Sequence, residues 1–273
     1  MSAPPAISYL VCATPRSGST LLCEMLRATG LAGNPLEHFE VLRHSGLPRQ
    51  PREYFGGLPD PDVLGLLRPL EVGRPKAEPA AAWRERILRQ GATPNGAWGG
   101  KLMWGHVDDL LSRARELNGA ELDLAPALRM LLGDVRLVYV TRADKVAQAV
   151  SLWRAVQTQR WRADADAPHH LYDGVYRFAA IDHLVTQLEA QDAAWCDWLA
   201  HGATSRPLTL AYDELVAEPR AAVGRVLRFA GLPAVDPGEP PLRAQRDARS
   251  EAWAKRYETE KGEGRRLAAA LHG

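Results

Sequence analysis

Ile7 to Thr14 (ISYLVCAT) is a continuous apolar run, rich in β-branched and aromatic residues, that stops at Pro15; it predicts a buried strand. Past a Pro-Arg-Ser-Gly turn the period changes. Leu21, Leu22, Met25 and Leu26 recur at helical spacing up to Gly30, a suitable residue just beyond a helix end. The chain therefore opens as strand, loop, helix. Ala97 to Trp104 predicts a second strand, with Gly99 and Gly100 permitting close backbone approach and Lys101 near its end. Arg136 to Thr141 (RLVYVT) predicts a third strand, and Asp144 to Val156 an amphipathic helix after it. Helical periodicity returns from Tyr176 to Leu199, with Gly202 beyond. Pro207 to Ala211 reads as a strand and Ala221 to Ala230 as a helix closed by Gly231-Leu232-Pro233.

Strands alternating with helices predict an α/β domain with a mainly parallel sheet, which binds ligands outside the carboxyl ends of its strands. Two basic residues, Arg16 and Arg142, fall at such ends. From Leu31 to about Asn95 the chain is rich in Pro and Gly, with short helical stretches such as Pro79 to Gln90, and this region reads as a substrate wall. No internal repeat, heptad pattern or long low-complexity tract interrupts the picture.

Composition narrows the function classes. With 46% hydrophobic and 25% charged residues, the chain is neither disordered nor fibrous. A net charge of +1 gives no global attraction to nucleic acid or to a membrane, so an anion site has to be built locally. Cys12, Cys23 and Cys196 are odd in number, widely spaced and set in apolar runs; they read as buried free thiols. The amino terminus carries no basic region before a long apolar stretch, and no segment approaches a membrane span, so a cytoplasmic protein is expected.

The candidate chemistry begins at Thr14-Pro15-Arg16-Ser17-Gly18-Ser19-Thr20, between the first strand and the first helix. Free backbone N–H groups and the helix dipole favour a phosphate or sulfate there. Ser17, Ser19 and Thr20 add hydroxyl donors, Gly18 lets the backbone close on the anion, and Arg16 supplies charge. The nucleoside-triphosphate pattern G-x-x-x-x-G-K-[ST] is absent. A P-loop small-molecule kinase and a non-catalytic nucleotide-binding module remain as competing readings; the kinase needs Mg²⁺ and a loop lysine that this turn lacks.

These residues resemble the T-x-[PQ]-[RK]-S-G-[ST]-[ST] loop with which sulfotransferases that use 3′-phosphoadenosine 5′-phosphosulfate (PAPS) hold the 5′-phosphosulfate. Arg142 and Ser151 are similar to that family's strand-end Arg and helical Ser on the 3′-phosphate, although their separation is one residue longer than in animal cytosolic members. Ala211-Tyr212-Asp213-Glu214-Leu215, leading through Glu218-Pro219 to Arg228-Phe229-Ala230-Gly231-Leu232-Pro233, is similar to a late segment of the family. At finer grain the chain looks like the trehalose 2-sulfotransferase group. Trp98-Gly99-Gly100-Lys101-Leu102-Met103-Trp104, Trp153-Arg154-Ala155-Val156-Gln157-Thr158 and Arg249-Ser250-Glu251-Ala252-Trp253 carry that likeness.

The resemblance implies a P-loop-type three-layer sandwich in a single domain, 1–273, with a central mainly parallel sheet flanked by helices and residues 31–106 shaping much of the acceptor pocket. It implies transfer of a sulfuryl group from PAPS to a carbohydrate hydroxyl, releasing adenosine 3′,5′-bisphosphate, and a homodimer. Gly33-Asn34-Pro35-Leu36-Glu37-His38-Phe39 matches the group's G-x-P-x-E-x-F segment, so Glu37 is the expected general base and His38 its rival. Arg16 and Lys101 are expected on the sulfuryl and bridging oxygens, and Arg249 on the 3′-phosphate together with Arg142 and Ser151. No metal is expected, since His169-His170 lacks companion ligands. Trp104, Trp153 and Trp161 read as core rather than as sugar-stacking residues.

Overall fold

A computed structural model describes residues 4–40, 49–71, 78–161, 174–240 and 248–272. His169 and His170 lie outside the described residues. In chain order the elements are β1 (Ile7–Ala13), α1 (Ser19–Ala28), α2 (Pro61–Leu64), α3 (Ala80–Gly91), β2 (Ala97–Met103), α4 (Val107–Asn118), α5 (Leu124–Leu132), β3 (Val135–Thr141), α6 (Lys145–Thr158), α7 (Phe178–His201), β4 (Leu208–Ala211), α8 (Tyr212–Ala217), α9 (Pro219–Ala230) and α10 (Ala248–His272). Short 3₁₀ turns cover Pro51–Phe55 and Trp104–His106.

The expected strands form one parallel sheet in the order β2-β1-β3-β4. Every residue of β1 except Ile7 is buried, as are all of β2, which is why these segments read as unbroken apolar runs: both faces of the sheet are covered. Period-two alternation sorts the side chains. Tyr9, Val11 and Ala13 of β1 pack with Leu22 and Met25 of α1, Leu215 of α8 and Val223, Val226 and Leu227 of α9. On the opposite face Leu10 and Cys12 pack with Trp83 and Ile87 of α3, Leu110 of α4, Leu128 and Leu131 of α5 and Trp195 of α7. Helices on both sides of the sheet make the expected three-layer α/β sandwich.

Register aligns the strand ends that matter. Ala13 pairs with Met103 on one side and Val140 on the other, and Thr141 pairs with Ala211. The segments that follow β1, β3 and β4 therefore leave the sheet at one edge. β2 lies on one side of β1 and β3 on the other, so strand order switches between the first two βα crossovers, and the crevice beyond β1 and β3 is the position where such sheets hold ligands.

The chain divides into two compact units: Met1–Arg49, Glu71–Ala143 and Ala190–Pro241, which hold the sheet, and Gln50–Leu70, Asp144–Glu189 and Leu242–Gly273. The second has its own core, in which Val150, Trp153 and Val156 of α6 meet Phe55, Ile181, Leu184 and Tyr257. Trp153 is buried there with its indole N–H donating to the Val175 carbonyl at 2.9 Å, and Trp104 packs edge-on to Trp195 in the first unit at 4.9 Å. Trp161, expected in the core, is instead exposed, its ring beside that of Tyr54. The cysteine reading is corrected too: Cys12 and Cys23 are buried free thiols, but Cys196, next to the buried Trp195 on α7, is exposed, with its Sγ 3.6 Å from the Tyr139 hydroxyl. No helix of the described residues is long and apolar enough to cross a membrane.

Candidate active site

The anion loop is built by the switch from β1 to α1. Arg16 (φ 64°) and Gly18 (φ 90°) both adopt left-handed backbone, which folds the loop back over the start of α1. Gly18 occupies the N-cap position without a side-chain cap, and no acidic residue lies in the first turn, so the N–H groups of that turn keep their pull on an external anion. Ser17 is fully buried, and its Oγ has no hydrogen-bond partner among the described residues. A buried hydroxyl without a partner costs about 1–3 kcal/mol, and a bound anion would restore the bond.

Two cations meet at this turn. Arg142, at the end of β3, donates from Nη1 to the Arg16 carbonyl at 3.3 Å and stacks over the Tyr212 ring at 4.2 Å. Burial, reinforced by the neighbouring Arg142 charge, lowers Arg16 to about 10. A buried guanidinium whose basicity a converging second one lowers marks a place completed by an anion. Tyr212 belongs to a motif legible in the sequence, yet no role was assigned to it there. It is the first residue past β4, and its ring lies so close to Gly18 that a Cβ at that glycine would fall 2.9 Å from it. The strand-end position was the available signal.

Beside the loop stands an acid–base pair. Lys101 lies on the same face of β2 as Ala97 and Met103, side chains of the core that β2 shares with α1, and is only 4% exposed. Its ammonium donates to Glu37 Oε1 at 2.5 Å and to Thr20 Oγ1 at 3.2 Å. Burial alone would pull Lys101 down, but the Glu37 carboxylate outweighs it and holds the pKa above the ordinary lysine value, so the group stays charged. Glu37 reaches it because Leu36 bridges to Gly100 at the outer edge of β2, with the Lys101 N–H donating to the Leu36 carbonyl at 3.0 Å.

That approach requires Gly33. At φ 67° its missing Cβ would sit 2.3 Å from the Gly99 nitrogen and 2.8 Å from the Gly91 oxygen. Gly33→Ala is expected to cost about 3 kcal/mol through backbone overpacking and strain, measured by urea denaturation, and to lower turnover by displacing Glu37. His38 points inward. It is 6% exposed, its Nε2 donates to the Asn34 carbonyl at 2.9 Å, its ring lies 5.7 Å from that of Trp98, and burial lowers its pKa.

The structure thus gathers Arg16, Ser17, Gly18, Ser19, Thr20, Glu37, Lys101 and Arg142 in the first unit. Ser151, on α6, and the exposed Arg249, on α10, lie in the second.

Residues 8–260 match the family model described as Stf0 sulphotransferase. The chain belongs to the Stf0 sulphotransferase family. As a member it is a sulfotransferase, an enzyme that transfers a sulfuryl group to an acceptor. It is 45% identical over 255 residues to trehalose 2-sulfotransferase of Mycobacterium tuberculosis (strain ATCC 35801 / TMC 107 / Erdman), covering 92% of this chain and 94% of the relative. It is 43% identical over 253 residues to trehalose 2-sulfotransferase of Mycolicibacterium smegmatis, again covering 92% and 94%. Among solved structures it is similar to the sulfotransferase domain from the curacin biosynthetic pathway, with a TM-score of 0.46 and 15% identity over 91% of this chain and 83% of that one.

Proposed function

We propose that this sulfotransferase moves the sulfuryl group of PAPS to the 2-hydroxyl of trehalose, with Glu37 as general base. The ion pair that joins Glu37 through Lys101 to Thr20 of the anion loop carries the reading: a carboxylate able to take a proton is tied to the place suited to the phosphosulfate.

The residues present fit that donor. Ser17 Oγ, the N–H groups at the start of α1, and Arg16 suit the 5′-phosphosulfate; Arg142 is assigned to the 3′-phosphate. PAPS supplies an activated sulfuryl group on a phosphate leaving group. Glu37 accepts the acceptor's hydroxyl proton as the new oxygen–sulfur bond forms and the bond from sulfur to the bridging oxygen breaks. Lys101 and Arg16 offset the charge left on the departing phosphate. His38, whose Nε2 is engaged by the Asn34 carbonyl, is the weaker candidate base. The trehalose assignment rests on the two mycobacterial relatives, each matched over 92% of this chain. Residues 31–106 are proposed to shape the acceptor pocket within a single catalytic domain, and the enzyme to work as a homodimer.

The test has two arms. Adenosine 3′,5′-bisphosphate at about 100 times its Kd is expected to raise the melting temperature by roughly 5 °C, whereas ATP with Mg²⁺ produces a smaller shift. With PAPS, trehalose is expected to give a monosulfated product by mass spectrometry. Greater stabilisation by ATP and Mg²⁺ would favour a kinase, and sulfation of another sugar in preference to trehalose would reassign the acceptor.

A further inference from the structure

Gln191 is a polar side chain that none of the roles above uses. It is partly buried on α7, and its Oε1 is buried with no hydrogen-bond partner among the described residues. The stretch of α7 around it is pinned to the carboxyl ends of the strands. Trp195 donates from its indole N–H to the carbonyl of Ala13, the last residue of β1, at 2.9 Å, and Asp192 accepts from the hydroxyls of Tyr139 and Thr141 on β3. Gln191 stands one helical turn before Trp195 and shares its face of the helix.

The amide reaches the turn that follows β2, the strand carrying Lys101. A Cβ added to the exposed Gly105 of that turn would fall 3.7 Å from Gln191 Nε2 and 3.2 Å from Arg49 Nη1, so a carboxamide and a guanidinium converge on one glycine. Gly105 is not among the glycines with left-handed backbone, so what it supplies here is room beside the two side chains. Before it comes Trp104, an indole only partly buried where it packs edge-on to Trp195. Gln191, Gly105, Arg49, Glu37 and Lys101 all belong to the unit that holds the sheet.

A carboxamide suits a ligand rich in hydroxyls, because it offers N–H donors and a carbonyl acceptor where a hydroxyl both accepts and donates. In the protein alone, a carbonyl that is buried and unbonded is a cost that an apolar side chain of similar shape would avoid. A ligand hydroxyl that completes the bonds of Gln191 accounts for glutamine at this place. We infer that Gln191 is a specificity-determining residue for the acceptor: its carboxamide, beside Arg49 at the Gly105 turn, binds a sugar hydroxyl other than the one that is sulfated. The inference rests on the carbohydrate-acceptor reading above and deepens it.

Steady-state kinetics with trehalose at saturating PAPS, together with melting temperature and calorimetric titration with adenosine 3′,5′-bisphosphate, tests this role. In Gln191→Leu the KM for trehalose is expected to rise about 10-fold, the scale of one lost hydrogen bond to substrate, while kcat and affinity for the bisphosphate hold and the melting temperature is unchanged or higher. Gly105→Ala, which keeps Gln191 and serves if the leucine variant folds poorly, places a methyl group beside the amide and should raise the same KM. A trehalose KM that stays at the wild-type value in both variants, or that rises only with a matching loss of kcat or of melting temperature, overturns the inference alone. If the wild-type enzyme prefers another sugar, the trehalose assignment falls, and the KM of that sugar in the same two variants upholds or overturns the role of Gln191. Wild-type enzyme that sulfates no sugar overturns the acceptor reading and this role with it.

Discussion

Glu37→Gln is expected to lower kcat by about 10²- to 10⁴-fold while affinity for adenosine 3′,5′-bisphosphate stays at the wild-type level. Glutamine has nearly the shape of glutamate, and its amide oxygen can still accept from Lys101 across the 2.5 Å contact, so the segment bridged to β2 has no reason to move. What it cannot do is accept a proton. The groups assigned to the nucleotide are other residues, on the turn after β1 and at the end of β3, which is why binding and turnover should separate. Near-normal turnover in Glu37→Gln would move the base elsewhere, and His38→Ala decides whether it moves next door. His38 already donates to the Asn34 carbonyl and is pressed against Trp98, so its replacement should cost stability more than rate. The comparison should be made at saturating trehalose, so that a change in acceptor binding does not pass for a change in chemistry.

How much of this was legible beforehand follows from where each signal resides. The strands β1, β2 and β3 could be read because the sheet is covered on both faces, which leaves continuous apolar runs, and α1, α6, α7 and α9 because each keeps apolar positions at helical spacing. The helices α4, α5 and α10 were not read. α10 (ARSEAWAKRYETEKGEGRRLAAALH) is mostly polar, includes Gly262 and Gly264, and among its described side chains buries only Tyr257, so it displays no stripe to detect. α5 has Pro126 in its first turn, a tolerated position that reads as a break in a linear scan.

At the site, Arg16, Arg142 and the hydroxyls around Gly18 were accessible because strand-end loops that lead into helices have a chemistry of their own. The likeness to known sulfotransferases singled out Glu37 and Lys101, but nothing in the spacing of residues 37 and 101 says that they touch. That pairing needs Gly33 to pass within contact of Gly99 and Leu36 to pair with Gly100, a tertiary event with no local pattern. Tyr212 was visible as a motif letter and not as a stacking surface for Arg142, for the same reason. The exposure of Cys196 was misread because an apolar neighbour, Trp195, shows that a helix has a buried face without saying that the next residue shares it.

Lys101→Met carries the second large expectation: kcat is expected to fall by about 10²- to 10³-fold, the cost of removing one preorganised charge from a developing oxyanion. Methionine preserves most of the aliphatic stem in its buried position among β1, β2 and α1, so the loss should report the ammonium rather than the packing. The ammonium has two partners, Glu37 and Thr20, and therefore two ways to matter: holding the carboxylate at the acceptor's hydroxyl and meeting the negative charge that builds beside the loop. A double variant, Glu37→Gln with Lys101→Met, separates them. Groups that act as one unit are strongly non-additive, so the double variant should be little slower than Glu37→Gln alone if Lys101 works mainly through the carboxylate. If Lys101 also stabilises the leaving phosphate directly, the double variant should be slower by nearly the whole Lys101→Met factor, and a PAPS analogue with a better leaving group should recover that part. Full turnover in Lys101→Met would leave a buried, doubly bonded ammonium without a catalytic reason for its place, and the link between base and anion loop would have to be read as structural.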